Sequence, residues 1–194
     1  MSWIADADEG SSAEVAAAFE RDRLALGYVA NYTKVLARRP AVLEAWRGLN
    51  AAVKASMDPR RYELATLAAA RRLRSSYCCL AHGAVLVDQF DAAPEVRALT
   101  SGASGDLDPV DTAVVRLAEK AAGGAADLTE QDLAEARALG LTDDEVLDVV
   151  LAAAARCFFS TVLDATGTQP DEAYRSMDPQ LQASLTVGRP IAGA

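Results

Sequence analysis

The sequence is short of lysine, histidine, isoleucine and paired cysteines. Lysine occurs only at Lys34, Lys54 and Lys120, and arginine carries the remaining positive charge. There is no basic block, and the formal net charge is −9. An acidic surface repels phosphate backbones, which argues against nucleic-acid binding and basic membrane contact. Isoleucine is confined to Ile4 and Ile191, while alanine and leucine are abundant. That bias leans toward helix. No segment alternates apolar and polar residues as a strand does, so an all-α fold is expected. No run approaches ~18 consecutive apolar residues. The opening MSWIADADEG lacks the basic and apolar regions of a signal peptide. The expectation is a cytoplasmic chain without a membrane span, its cysteines reduced unless chemistry engages them. Glycine-rich phosphate loops and dinucleotide fingerprints are absent too, and no cofactor is expected.

What the sequence does contain is helix punctuation. The chain of 194 residues suits one domain with a full apolar core. The signals divide it into about eight helices. Residues 12–38 read as one long helix with Gly27 as a weak point inside it. Pro40 opens a second, and Asp58-Pro59 a third over 59–73, since aspartate accepts from free N–H groups and proline suits the first helical position. A break at Arg74-Ser75 leads to a fourth through Phe90. Pro94 begins a fifth, Asp108-Pro109 a sixth, and Thr129 a seventh that Gly140 closes. Between the fifth and sixth, residues 101–105 read as the most flexible stretch. Thr142 and Glu145 fit a capping box for an eighth helix to Ala165. Its buried face is read as Val146, Val150, Ala153, Cys157, Thr161 and Ala165. Residues 1–11 form an N-terminal segment, 12–169 the domain, and 170–194 a tail with a short helix near 178–186. The tail is expected to pack on the domain or on a neighbouring subunit.

The one histidine, His82, follows Cys78 by four residues. On a helix such residues share a face, where an imidazole and a thiol can exchange a proton. Cys78 also falls in the first turn of its helix, near the positive end of the dipole. Cys79 is rotated by about 100° and should face the core. Taken alone, the spacing also fits ordinary packing, since buried cysteine behaves as a small hydrophobe. Cys157 reads as such a core residue. A metal site is not expected, because paired Cys-x-x-Cys spacing is missing. Trp3 and Trp46 read as packing or interface residues.

The wider segment adds to this. Glu63, in RYELATLAAA, is followed by Ser75-Ser76-Tyr77-Cys78-Cys79-Leu80-Ala81-His82. This resembles the core of the AhpD-like and carboxymuconolactone decarboxylase family. There a Glu, eleven intervening residues and Cys-x-x-Cys-x-x-x-His recur; Glu63, Cys78 and His82 occupy matching positions. Tyr77 before the second cysteine position is also familiar in the family, and the likeness runs over residues 20–191. The resemblance implies an AhpD-like helical bundle. It implies that Cys78 is the reactive thiol, with Glu63 and His82 as its proton relay. It also implies a homo-oligomer, as a trimer, hexamer or dimer.

Ser75 departs from the pattern, for it stands where the family has the first cysteine. A hydroxyl forms no disulfide. What remains is a single-cysteine peroxidase cycle, in which a hydroperoxide oxidises Cys78 to a sulfenic acid and an external thiol reductant resets it. Ser75 would then sit within reach of Cys78 and donate a hydrogen bond to its thiolate. The carboxymuconolactone decarboxylase branch dispenses with the cysteine pair, and Glu63 with His82 suffices for a cofactor-free lyase acting on a small organic acid. A non-catalytic member of the fold is the third class left open.

Overall fold

The computed structural model describes residues 2–102 and 107–193. Most of the stretch read as flexible, residues 103–105, lies outside the described residues. Those described form ten α-helices and no strand. The all-α reading holds, with more and shorter helices than the punctuation suggests.

The first correction falls at the N-terminal end. Residues 12–38 are not one helix but two, α1 (Ala13–Leu26) and α2 (Asn31–Leu36). Gly27 is a left-handed cap at φ +83°, its N–H donating to Arg23 O at 2.9 Å. Residues other than glycine rarely adopt that conformation, and the helix ends there. Two carboxylates hold the break open. Asp22 Oδ2 accepts from Ala30 N at 3.0 Å, and Asp171 Oδ1 accepts from Asn31 N at 2.7 Å. The second partner lies 140 residues away, beyond the reach of local periodicity.

Next come α3 (Pro40–Ser56), α4 (Pro59–Arg72) and α5 (Ser76–Phe90). Asp58 caps α4 as expected, its Oδ1 accepting from Arg61 N at 2.9 Å. Every residue of α4 from Tyr62 to Ala70 is buried. The run Ala68-Ala69-Ala70 lets α5, α7 (Pro109–Gly124) and α9 (Asp143–Ala165) approach α4 closely on different sides. Arg74, at φ +59°, makes the corner between α4 and α5. Gly188 lies against that corner; a Cβ there would fall 2.2 Å from Arg74 O. Its N–H donates to Ser76 Oγ at 2.7 Å, which ties the tail to the start of α5.

The remaining helices are α6 (Ala93–Ser101), α8 (Glu130–Ala138) and α10 (Pro179–Leu185). α10 buries Leu185 completely and packs on α5 and α6. The capping box of α9 forms as read: Glu145 N donates to Thr142 Oγ1 at 3.2 Å and Thr142 N to Glu145 Oε2 at 2.8 Å. By length and composition α9 alone among the described helices could cross a membrane, and 50% of that stretch is buried inside the domain. Its inward face is the second correction. Val146 and Ala153 are buried as expected, but Thr161 and Ala165 are exposed. The face that turns inward carries Val149, Ala152, Arg156, Phe159, Ser160 and Leu163. Small residues all round the helix blur its apolar stripe, and the sequence reading rotated it by about one position.

Candidate active site

The corner at Arg74 turns the chain back, so that α4 and α5 pack side by side. This brings Glu63 and His82 together. His82 Nδ1 lies 2.5 Å from Glu63 Oε2, and the Glu63 side chain is only 2% exposed. A carboxylate accepts, so Nδ1 carries the proton and Nε2 keeps its lone pair. The other carboxylate oxygen, Oε1, accepts from Lys54 Nζ of α3 at 2.7 Å. Burial alone would raise the Glu63 carboxyl, but the hydrogen bonds and charges of His82 and Lys54 bring it below its ordinary value. Burial and the nearby Arg156 cation lower the pKa of His82, against the pull of Glu63. The arrangement therefore favours a neutral, oriented imidazole at neutral pH.

Cys78 is the third residue of α5 and is 1% exposed. Its sulfur meets two donors, both on α9: Ser160 Oγ at 3.3 Å and Arg156 Nη1 at 3.5 Å. Arg156 also donates to Asn50 Oδ1 at 3.5 Å, and Tyr62 Oη donates to the same oxygen at 2.7 Å. Burial opposes the Arg156 charge, but the Cys78 sulfur and the Tyr62 phenol hold its pKa above the usual range. Cys79 is completely enclosed, and burial pushes its thiol far up. Cys157 is half-buried and is also raised by burial. Among the described residues, Cys78 alone of the three cysteines has side-chain hydrogen-bond donors at its sulfur.

Ser75 stands at the start of α5 as read, but it does not make the hydrogen bond to Cys78 expected of it. It is fully buried at the start of α5, yet its hydroxyl lies beside the Asp164 carboxylate of α9 and completes no hydrogen bond. The donors expected from Ser75 come instead from Ser160 and Arg156. Tyr77 donates its hydroxyl to Asp171 and accepts from Tyr32 N at 3.5 Å. Burial and the Asp171 charge push the phenol well above its ordinary range. Tyr77 therefore stays neutral and pins α5 to the start of α2 and to the tail.

These groups border one cleft of about 460 Å³, lined in part by Trp46, Lys54, Tyr77, Cys78, His82 and Arg156. That is within the ~300–1,000 Å³ of small-molecule sites. A second cleft of about 520 Å³ beside Arg72, Arg116 and Lys120 holds neither thiol nor imidazole. Sequence reasoning missed Arg156, Ser160, Lys54, Asn50 and Asp171. One of them left a visible signal: Arg156 interrupts the run Leu151-Ala152-Ala153-Ala154-Ala155 before Cys157-Phe158-Phe159. A lone arginine inside an apolar helix segment marks either a solvent-facing position or a buried functional charge.

No family model matches the chain, and no curated protein matches it. Solved structures do. A peroxidase-related protein with an alkylhydroperoxidase AhpD core from Ralstonia eutropha JMP134 superposes with a TM-score of 0.80 at 20% identity, covering 91% of this chain and 95% of that one. A peroxidase-related protein from Silicibacter sp. TM1040 gives 0.77 at 23% identity, covering 88% and 91%. The debrominase Bmp8, as a cysteine-to-alanine variant in complex with 2,3,4-tribromopyrrole, gives 0.76 at 13% identity, covering 94% and 96%. At such identities the likeness establishes the fold, which is AhpD-like.

Proposed function

We propose that the chain is a thiol-dependent peroxidase or a closely related thiol oxidoreductase, with Cys78 as the reacting group. The observation that carries this is the selective setting of Cys78: among the described cysteines it alone combines two donors at its sulfur with a cleft that His82 shares. Arg156 is placed to balance the charge of a thiolate. The thiolate attacks the outer oxygen of a hydroperoxide, the O–O bond breaks, and the sulfur is oxidised to a sulfenic acid. His82, held by Glu63, takes the Cys78 thiol proton at its free Nε2 as the thiolate forms and returns it to the departing alkoxide, leaving an alcohol. Two equivalents of an external thiol then return Cys78, with release of water and formation of a disulfide between them. An external thiol is needed because Ser75 has no sulfur, Cys79 is sealed in the core, and Cys157 follows Arg156 on α9, turned about 100° from it.

A second reading drops the thiol from the chemistry. The Glu63–His82 pair is complete in itself, with Lys54 closing the carboxylate, and it can move protons on a small organic acid as a cofactor-free lyase does. Turnover of an organic hydroperoxide with a panel of thiol reductants, run beside Cys78→Ser, tests the proposal. Turnover that Cys78→Ser abolishes supports it. No turnover with any reductant, or equal turnover in the variant, refutes it.

A further inference from the structure

The cleft has one feature that peroxide chemistry leaves unused and a second that it uses only in part. The first is its walls. Trp46 and Phe159 stack with centroids 4.6 Å apart and planes 10° from parallel. Phe159 meets Tyr32 edge-on at 5.3 Å, Tyr32 meets Tyr77 at 6.0 Å, and Tyr77 meets Tyr174 at 6.3 Å. Five rings thus run without a gap along one cavity, in a chain that is only 6% aromatic. They come from α2, α3, α5, α9 and the tail, so no single helix's packing accounts for the row. A hydroperoxide group needs no such surface. Ring faces and edges of this kind select flat, π-rich molecules.

The second feature is Arg156. It is the only buried basic side chain among the described residues, at 3% exposure. The less buried cations nearby are paired with carboxylates: Arg47 with Asp22 and Glu44, and Lys54 with Glu63. Among the described residues no carboxylate meets Arg156; its acceptors are the Cys78 sulfur, whose charge it offsets when the thiol ionises, and an amide oxygen, and its Nε has no partner. A buried cation is costly unless an anion meets it. The two buried carboxylates at the cleft are already engaged, Glu63 by His82 and Lys54, and Asp171 by Tyr77 and Asn31 N. The guanidinium itself lies over the Trp46 and Phe159 rings, 5.7 and 5.6 Å from their centroids. A ring lying against that wall would therefore place an acidic substituent next to the guanidinium.

We propose that the cleft binds a small planar aromatic anion, of one or two rings bearing a carboxylate or an acidic hydroxyl, with its charge at Arg156 beside Cys78. This rests on the reading of the cleft as the substrate site, but not on the redox reactivity of the thiol. Either a hydroperoxide carried on such a ring or the ring itself as substrate would satisfy it.

The probes are benzoate, cyclohexanecarboxylate and benzamide, titrated calorimetrically into the full chain. Benzoate shares its charge with the second and its flat ring with the third. The expected result is benzoate binding at least tenfold tighter than either, with slower iodoacetamide labelling of Cys78 when benzoate is bound. Arg156→Gln should lose that tenfold preference over benzamide, and Arg156→Lys should keep part of it. Equal affinities for the three probes, or no binding at millimolar concentration, overturns the proposal, and this panel needs no variant to fold. If benzamide binds as tightly as benzoate, Arg156 serves the sulfur alone and the anion assignment is wrong. The outcomes separate from those of the peroxidase test. Hydroperoxide turnover without benzoate binding sinks this inference and spares that reading; benzoate binding without turnover does the reverse.

Discussion

Replacing Glu63 by Gln removes the charge of the relay while keeping its shape. Two interactions are lost. The pair with Lys54 contributes at most ~1 kcal/mol, because the Lys54 side chain is 45% exposed and screened by water. The charge-assisted bond to His82 is worth about 1.5–3 kcal/mol, and a glutamine oxygen retains part of it. Against these losses the variant no longer buries a carboxylate. The terms nearly cancel, so the unfolding free energy should move by only ~1 kcal/mol, or about 2–4 °C in Tm for a chain of this size. Catalysis should change far more. Without its carboxylate the imidazole is neither fixed in one tautomer nor electrostatically supported, and proton transfer should slow about 100-fold, or ~2.7 kcal/mol of barrier. The pH profile gives an independent check. The lowered His82 pKa places the rise of activity with pH below the ordinary 6.5. Glu63 is the group that opposes that lowering, so Glu63→Gln should move the rise further toward acid. Single-turnover oxidation of Cys78 by an organic hydroperoxide, followed from pH 5 to 9, measures both effects. A variant within twofold of the parent at every pH would refute the relay.

The remaining predictions are simpler. Tyr77→Phe removes the donor to Asp171 and should cost about 1–3 kcal/mol in urea denaturation, while iodoacetamide labelling of Cys78 keeps its rate; a loss of labelling without a loss of stability would place Tyr77 in the chemistry instead. Ala68→Leu adds volume to a fully enclosed position of α4 and should cost about 1–3 kcal/mol, read by the same method; an unchanged midpoint would contradict the close packing. Stability should fall on acidification. His82 and Glu63 both have folded pKa values below their unfolded ones, so their contributions are full above ~6.5 and ~4.5 respectively and are lost as pH drops through the folded values. Asp111, Glu119, Asp164 and Asp171, raised by burial, work in the opposite sense, and a Tm that holds steady or rises from pH 7 to 4 would refute the prediction. Leu147, Leu151 and Phe158 are exposed along one face of α9, with Val42 and Leu49 exposed on α3. We expect this apolar face to meet a second copy of the chain, and light scattering that returns only the 20.4 kDa monomer at micromolar concentration would refute that.

The fold was legible in the sequence wherever one residue type forces one local geometry. Asp58-Pro59, Asp108-Pro109 and the Thr142–Glu145 box mark helix starts that form as read, because capping is a contact between residues three apart. Gly27 is visible too, but in the sequence it reads as a weak point rather than an end. What decides it is Asp171, which joins the break from the far end of the chain. The inward face of α9 was misread because alanine suits buried and exposed positions alike. The candidate site divides in the same way. Glu63, Cys78 and His82 stand out by spacing on two consecutive helices. Arg156, Ser160 and Lys54 reach the site from α9 and α3, and only tertiary packing reveals their partners. Ser75 shows the converse: it is three residues from Cys78 in sequence, yet its hydroxyl lies beside Asp164.

The central claim is that Cys78 alone among the three cysteines is reactive. Mass-spectrometric mapping after one equivalent of cumene hydroperoxide, with dimedone to trap sulfenic acid, tests it directly. The account predicts dimedone on Cys78, none on Cys79 or Cys157, and none anywhere in Cys78→Ser. Label on either of the other cysteines at a comparable level, or a Cys78 left unmodified while peroxide is consumed, would contradict it.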